Sequence, residues 1–405
     1  MDKLTFDLLR KRCNALIKKC YHDFKIQASS NLQQNPKYFW SFVKEQKSNS
    51  ASIPNEMHYG VKVAKGGQQI ANLFSECFQN VYQTGLHSKT LNTLRSSTTQ
   101  FMTDAIPQFL ITESEVLQAL QELDCNKGPG PDLIPPIFLR SCADYLFKPL
   151  TKLFNISLRT GMFPMKWKLA HLTPIHKSGD TSAVDNYRPI SILSISGKIL
   201  ESLVYRQILP YIYKQINPNQ HGFLPCRSTS TNIVEYITDV SEALDKQGEV
   251  HAIYTDFRKA FDLVNHDILL EKLSRAGVHG SLLRWCESYL LNRSQLVAVR
   301  GFTSEASPVP SGVPQGSHLG PLFFLVFIND ICENLHCKYK LFADDLKVYR
   351  TITSQHDSYM LQNDINHISL WCKCNSMFLN SEKCFFLRIT RKKNISFAKR
   401  IVHNW

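Results

Sequence analysis

A chain of 405 residues with 43% hydrophobic composition has room for about two or three domains with real cores. Its formal net charge of +13 suits a polyanionic partner, of which nucleic acid is the commonest. Its twelve cysteines form no paired Cys-x-x-Cys framework, and its most apolar run, Leu319 to Ile328, is too short to span a bilayer. A disulfide-stapled domain, a zinc ribbon and a membrane protein are therefore set aside. No signal peptide is visible, so an intracellular protein of the nucleus or cytoplasm is expected. His367, Cys372, Cys374 and Cys384 could be read as a metal cluster, but free thiols are the simpler reading.

Residues 1 to about 55 read as a basic helical arm carrying Lys3, Arg10, Lys11, Arg12, Lys18, Lys19 and Lys25. Phe6, Leu9, Cys13, Leu16, Cys20 and Phe24 recur at helical intervals, which gives a packing face. The arm is either a packed extension or an RNA-contacting one. Residues 48–65 are polar and turn-rich and read as a linker. An amphipathic helix follows over Gln68 to Tyr82, and 83–108 reads as irregular. Thr112 with Glu115 forms a capping box that opens the next helix. That helix ends before Asn126-Lys127-Gly128-Pro129-Gly130-Pro131-Asp132, a tight loop whose backbone can approach a phosphate chain. A long helix is expected from Phe138 through Leu158, ending at Gly161 and Pro164.

Lys177 and Arg188 then fall on a strand and its return. A lysine point charge beside an arginine fork suits a triphosphate, although either cation alone would read as a surface residue. A helix from Lys198 to about Ile212, a turn at Gln220-His221-Gly222-Phe223 and a helix over 229–247 follow. The last of these should turn Ile233, Ile237, Val240 and Leu244 inward.

Three stretches carry the chemistry. His251 to Thr255 is β-type and ends at Asp256, which is either a helix N-cap or an acid presented at a strand end. Gly312, Gly316 and Gly320 surround Gln315 in a loop bare enough for a base pair to lie on, ahead of an apolar helix from Leu322 to Ile331. Lys338 to Leu341 and Leu346 to Tyr349 flank Phe342-Ala343-Asp344-Asp345, a hairpin with two acids at its tip. Adjacent like charges are costly unless a cation sits between them. Carboxylates holding two ions about 3.5–4 Å apart are what two-metal phosphoryl transfer requires.

In this order the stretches resemble the reverse transcriptases of non-LTR, LINE-type retrotransposons, on the jockey-like side. The resemblance runs from about 110 to 388, and more weakly through 1–55. It implies an α+β fold, a right-hand polymerase with fingers and an antiparallel palm sheet packed by helices, preceded by a helical N-terminal extension. Residues 1–108 would be that extension with its linker, 109–390 the reverse transcriptase domain, and 391–405 a basic, disordered tail. The family continues into a thumb, and the chain stops at Trp405 soon after Lys383, so the thumb is expected to be largely absent.

The resemblance implies Asp256, Asp344 and Asp345 as the catalytic, metal-holding acids, with two Mg2+ or Mn2+ ions as cofactors. Phe261 would press against the sugar 2′ position, and Gln315 and Gly316 would line the nucleotide and template. Lys177 and Arg188 would take the triphosphate, Lys383 the leaving pyrophosphate, and Lys127, Gly128 and Gly130 the nucleic acid. An RNA template, a DNA primer, deoxynucleoside triphosphates and an element-encoded RNA-binding protein are the implied partners. The competing reading is a catalytically idle remnant that only binds RNA.

Overall fold

The structure, a computed structural model, describes residues 53–82 and 105–391, together with helical positions scattered between 8 and 26. The chain divides into two compact units, Met1–Asn55 and Glu56–Trp405. In the first, the described residues between 8 and 26 are helical and exposed, Leu16 and Cys20 included. Phe6, Leu9, Cys13 and Phe24 lie outside the described residues, as does the tail beyond 391.

The second unit opens with strands β1 (Glu56–Tyr59) and β2 (Lys62–Lys65), paired antiparallel with Met57 opposite Ala64. This stretch is therefore not the linker its polar composition suggests. Met57 and Ala64 turn inward, and the His58 N–H donates to the Ser182 carbonyl, so tertiary contacts decide it. Helix α1 (Gly67–Gln79) buries Ile70, Phe74 and Phe78. Helix α2 (Glu113–Gln121) starts on the expected capping box: the Glu115 N–H donates to Thr112 Oγ1, and the Thr112 N–H to Glu115 Oε2.

The single helix expected next is two, α3 (Pro136–Ser141) and α4 (Ala143–Thr160), because Cys142 leaves helical geometry at φ −100°, ψ 14°. Gly161, left-handed at φ 71°, ends α4. Strands β3 (Leu169–His176) and β4 (Tyr187–Ile192) pair antiparallel, and helix α5 (Ile195–Tyr213) follows. Helix α6 (Thr229–Asp245) turns Asn232, Tyr236, Val240 and Ala243 inward and leaves Ile233 and Ile237 exposed. The inner stripe is thus displaced from the one expected. Asn232 can be buried because its Nδ2 donates to the Leu341 carbonyl, and Tyr236 because its ring packs edge-on against Tyr349.

Strand β5 (Glu249–Thr255), helices α7 (His266–Arg275) and α8 (Gly280–Leu290), and strands β6 (Arg293–Val299), β7 (Phe302–Thr303) and β8 (Ser307–Val309) come next. Helix α9 (Leu319–Ile328), starting earlier than its expected Leu322, has every residue but Pro321 buried. The hairpin of β9 (Lys338–Phe342) and β10 (Asp345–Ile352), helix α10 (Gln355–Cys374) and strand β11 (Phe385–Thr390) complete the unit.

Two sheets result. One, in the order β11-β5-β10-β9, is wholly antiparallel. The other runs β4-β3-β6-β7 with β8 beside β6, and its β3–β6 pair is parallel. The expected α+β architecture, with an antiparallel sheet backed by helices, is what the chain forms. Arg388 lies in β11 and is held by Glu249 at 2.5 Å. Among the described residues no helix is long and apolar enough to cross a membrane.

Candidate active site

The register of β5 against β10 builds the site. Leu346 lies opposite Thr255, so Asp345 and Asp256 fall at neighbouring strand ends. The hairpin places Phe342 opposite Asp345, which leaves Ala343 and Asp344 as its two-residue loop. Ala343 adopts φ +56°, a left-handed conformation that a β-carbon disfavours. A buried clamp holds it there: Gln220 Nε2 donates to the Ala343 carbonyl (3.2 Å), and the Ala343 N–H donates to Gln220 Oε1 (2.8 Å).

The acids feel one another. Burial first, and then the charges of Asp345 and Asp256, push the Asp344 carboxyl up to about 6. Asp345 is likewise raised, by burial and then by Asp256. Asp256 Oδ2 is buried and accepts no hydrogen bond; the Lys383 ammonium stands 3.2 Å from it, off hydrogen-bond geometry. The carboxylates are neighbours, yet among the described residues no three His, Cys, Asp or Glu side chains close into a metal-holding group.

Cations crowd the same place. The Lys177 ammonium is held below its usual range first by the Lys383 charge, then by burial and by Arg188. Arg188 lies opposite Ile175 on the β3–β4 pair, and Lys177 continues it, its N–H donating to the Asn186 carbonyl. Three like charges gathered beside carboxylates mark a place where a polyanion would be stabilised. A cavity of about 410 Å3 adjoins, lined by Tyr254, Asp256, Asp345, Lys347, Lys383 and Phe385. A larger cleft of about 810 Å3 shares no residue with it and is bounded by 106–110, α4 and the start of α8.

Phe261 stacks on Phe324, with centroids 4.6 Å apart, and meets Phe223 edge-on. The Val313 N–H donates to the Phe261 carbonyl, which ties the following loop to it. Gln315 Nε2 donates to Asp262 Oδ1 at 2.9 Å, and the Gln315 carbonyl accepts from the Ser191 N–H. Gly316 sits at φ +104°, where a Cβ would also lie 2.9 Å from the Ser191 oxygen.

Residues 175–398 match the family described as reverse transcriptase (RNA-dependent DNA polymerase). The chain belongs to the reverse transcriptase family. The RNA-directed DNA polymerase from mobile element jockey of Drosophila melanogaster is 31% identical over 310 residues, 73% of this chain and 33% of that protein. The probable RNA-directed DNA polymerase from transposon BS of the same species is 28% identical over 354 residues, 81% of this chain and 38% of that protein. The expected kinship with jockey-like retrotransposon enzymes is met, and the chain spans about a third of the length of these curated relatives. A solved apo telomerase from Candida tropicalis superposes with a TM-score of 0.42 at 14% identity, covering 56% of this chain and 52% of that one.

One predicted element, the nucleic-acid loop, is held by contacts of its own. The 126–132 loop is fastened to the start of α5: Ser194 Oγ donates to Asp132 Oδ2, and a Cβ on Gly130 would lie 2.6 Å from the Leu193 carbonyl. Gly128 faces open space, and Lys127 pairs with Asp124 at 3.9 Å. The charge of Lys127 is felt at Lys198 and His318, at the head of α5 and before α9. Its glycine at 130 therefore serves packing first.

Residues unassigned from sequence also shape this site. Gln220 and Asp262 hold its loops by the bonds above. The Asn380 N–H donates to the Asp256 carbonyl at 2.7 Å and so brings Lys383 to the carboxylate. Lys347, two residues after Asp345, lays its ammonium 3.9 Å from the centre of the Tyr236 ring. Gln220 stood in a stretch read as a turn, and Asp262 is a second acid in the stretch that begins at Asp256, but neither had a role from sequence.

Proposed function

We propose that this chain is an RNA-directed DNA polymerase that extends a DNA primer on an RNA template by two-metal nucleotidyl transfer from deoxynucleoside triphosphates. The observation that supports it most is the meeting of Asp256, Asp344 and Asp345 from two strand ends with Lys177, Arg188 and Lys383.

The three acids fit a pair of Mg2+ or Mn2+ ions by donor type: hard carboxylate oxygens, one of them, Asp256 Oδ2, buried without a hydrogen bond. Bound there, such ions would ease deprotonation of the primer 3′-hydroxyl and offset charge growing on the phosphoryl oxygens. Lys177 and Arg188 bind the triphosphate, the arginine by a fork that fits two phosphate oxygens. Lys383 meets the departing pyrophosphate as the bond between the α-phosphorus and its bridging oxygen breaks. The Phe261 ring, fixed by its stack on Phe324, blocks the space a 2′-hydroxyl would need. Gln315 and Gly316 support the nascent base pair.

Primer extension on poly(rA)/oligo(dT) with Mg2+ tests the proposal. Extension by the wild-type chain, lost in Asp344→Asn, is the expected result. Salt-sensitive RNA binding with no extension would identify the idle remnant instead.

A further inference from the structure

The proposed chemistry leaves the Asp262 carboxylate without a part, yet the structure spends several contacts on seating it. Asp262 is only 8% exposed. Ser311 Oγ donates to its carbonyl at 2.8 Å, and a Cβ on Gly312 would lie 2.8 Å from its Cα. The Gly312 N–H donates to the Val264 carbonyl, and His266 Nε2 bonds the Gly312 carbonyl at 2.7 Å. The loop bearing Gln315 is thus strapped to the turn bearing Phe261 and Asp262. Among the described residues, the one side chain that hydrogen-bonds the Asp262 carboxylate is Gln315, through Nε2 at 2.9 Å.

We infer that Asp262 is a positioning residue: its carboxylate fixes the orientation of the Gln315 carboxamide, so that Gln315 presents its carbonyl oxygen to the nucleotide–template pair. The inference rests on reading the site as a polymerase. An ionised carboxylate only accepts, so the glutamine must turn its amino group toward it. Gln315 Oε1 is then the end left for a ligand, and a donor group on the base pair or sugar is what it can take. Without that partner a primary amide has two orientations of similar size and shape, one of which shows the ligand a donor. A bond to a charged acceptor is roughly twice as strong as a neutral one, and the surrounding burial strengthens it further.

The environment supports a bond that depends on ionisation. Burial pushes the Asp262 carboxyl up to about 6, opposed by the Lys259 charge and by the Gln315 bond. The other polar groups around it are Tyr82 after α1, whose hydroxyl donates to Gln295 Oε1, Arg293 on β6, and His266 at the head of α7. Above about pH 6 the carboxylate accepts from Nε2. Below it the protonated acid can donate, and the amide is free to turn.

Two measurements test this. In protein with 15N-labelled glutamine, the side-chain amide resonance assigned by its loss in Gln315→Ala should titrate between pH 5 and 8 with an inflection near 6. The inflection should vanish in Asp262→Asn, which keeps the side-chain volume; its thermal unfolding verifies the fold. This readout does not need activity. In primer extension, Asp262→Asn should raise the KM for the templated nucleotide by about tenfold, the scale of one hydrogen bond to a charged group, with kcat within about twofold. On a Gln315→Ala background the same change should add less than about twofold, since neighbours acting through one contact are not additive. A full added penalty on that background, or an amide that does not titrate, overturns the inference. If the wild-type chain extends no primer, the polymerase reading fails while the titration still decides for or against Asp262.

Discussion

Gln220→Ala should loosen the catalytic turn without touching any group that meets substrate. Gln220 is 2% exposed, and its carboxamide satisfies three backbone groups: the Ala343 carbonyl, the Ala343 N–H and the Gly222 N–H, the last at 2.8 Å. Truncation leaves all three in a buried place. Each unsatisfied group costs about 1–3 kcal/mol, and water entering the space left behind recovers part of it, so a loss of roughly 3 kcal/mol is expected. Ala343 at φ +56° carries a further cost of about 1–2 kcal/mol that the clamp holds in place. Released, it should relax and carry Asp344 with it. A displacement near 1 Å at a reacting centre costs about a hundredfold in rate. Urea unfolding gives the stability change, and single-nucleotide extension gives kcat and KM. Gly222→Ala attacks the same contact from the other side, because its Cβ would lie 2.3 Å from the Ala343 nitrogen. A Gln220→Ala protein destabilised by less than about 1 kcal/mol, with kcat within about twofold, would refute the reasoning.

Phe261→Ala should raise ribonucleotide incorporation relative to deoxyribonucleotide in matched primer extensions; an unchanged ratio would move the sugar gate elsewhere. Gly130→Ala should cost about 1–3 kcal/mol in urea unfolding through its clash with the Leu193 carbonyl, whereas Gly128→Ala, facing open space, should stay within about 0.5 kcal/mol. Asp357 completes the capping box that Ser354 opens on α10, and hydrogen bonds from Arg350, Thr353 and Ser354 outweigh its burial and hold its carboxyl below the usual range. Its contribution is therefore present above the unfolded value near 4 and is lost as pH falls through the lower folded value. Asp357→Asn should be less stable than wild type at pH 7, and the gap in melting temperature should close in acid.

Local signals carried much of the fold. The Thr112–Glu115 capping box, the β9–β10 hairpin and the end of β5 at Asp256 are written within a few residues each, and all three form as read. What failed depended on distant partners. The α6 periodicity pointed to Ile233 and Ile237, yet burial follows the Leu341 carbonyl and the Tyr349 ring that α6 meets. Residues 56–65 look like a linker because two four-residue strands with one inward residue each leave little alternation to see. The pairing of Arg388 with Glu249 spans 139 positions, which no local stretch shows.

The site divides along the same line. Acids, cations and the Phe261 ring are legible by residue type, because the proposed chemistry demands those types wherever the chain places them. The residues that aim them are not. A two-residue turn that presents Asp344 beside Asp345 must keep those side chains free for a ligand, so its own neighbours cannot satisfy its backbone. The partner has to come from another element, and Gln220 supplies it across 123 positions. Gln315 is in the same situation, because a loop stripped to glycine has nothing local to orient its single amide. Asp262, 53 positions earlier, does so. A glutamine and an aspartate in these roles look like any polar residue in sequence, since only the pairing of distant segments distinguishes them. The more a loop is cleared for substrate, the further away its structural partners must lie, and the less of its design any local stretch of sequence can show.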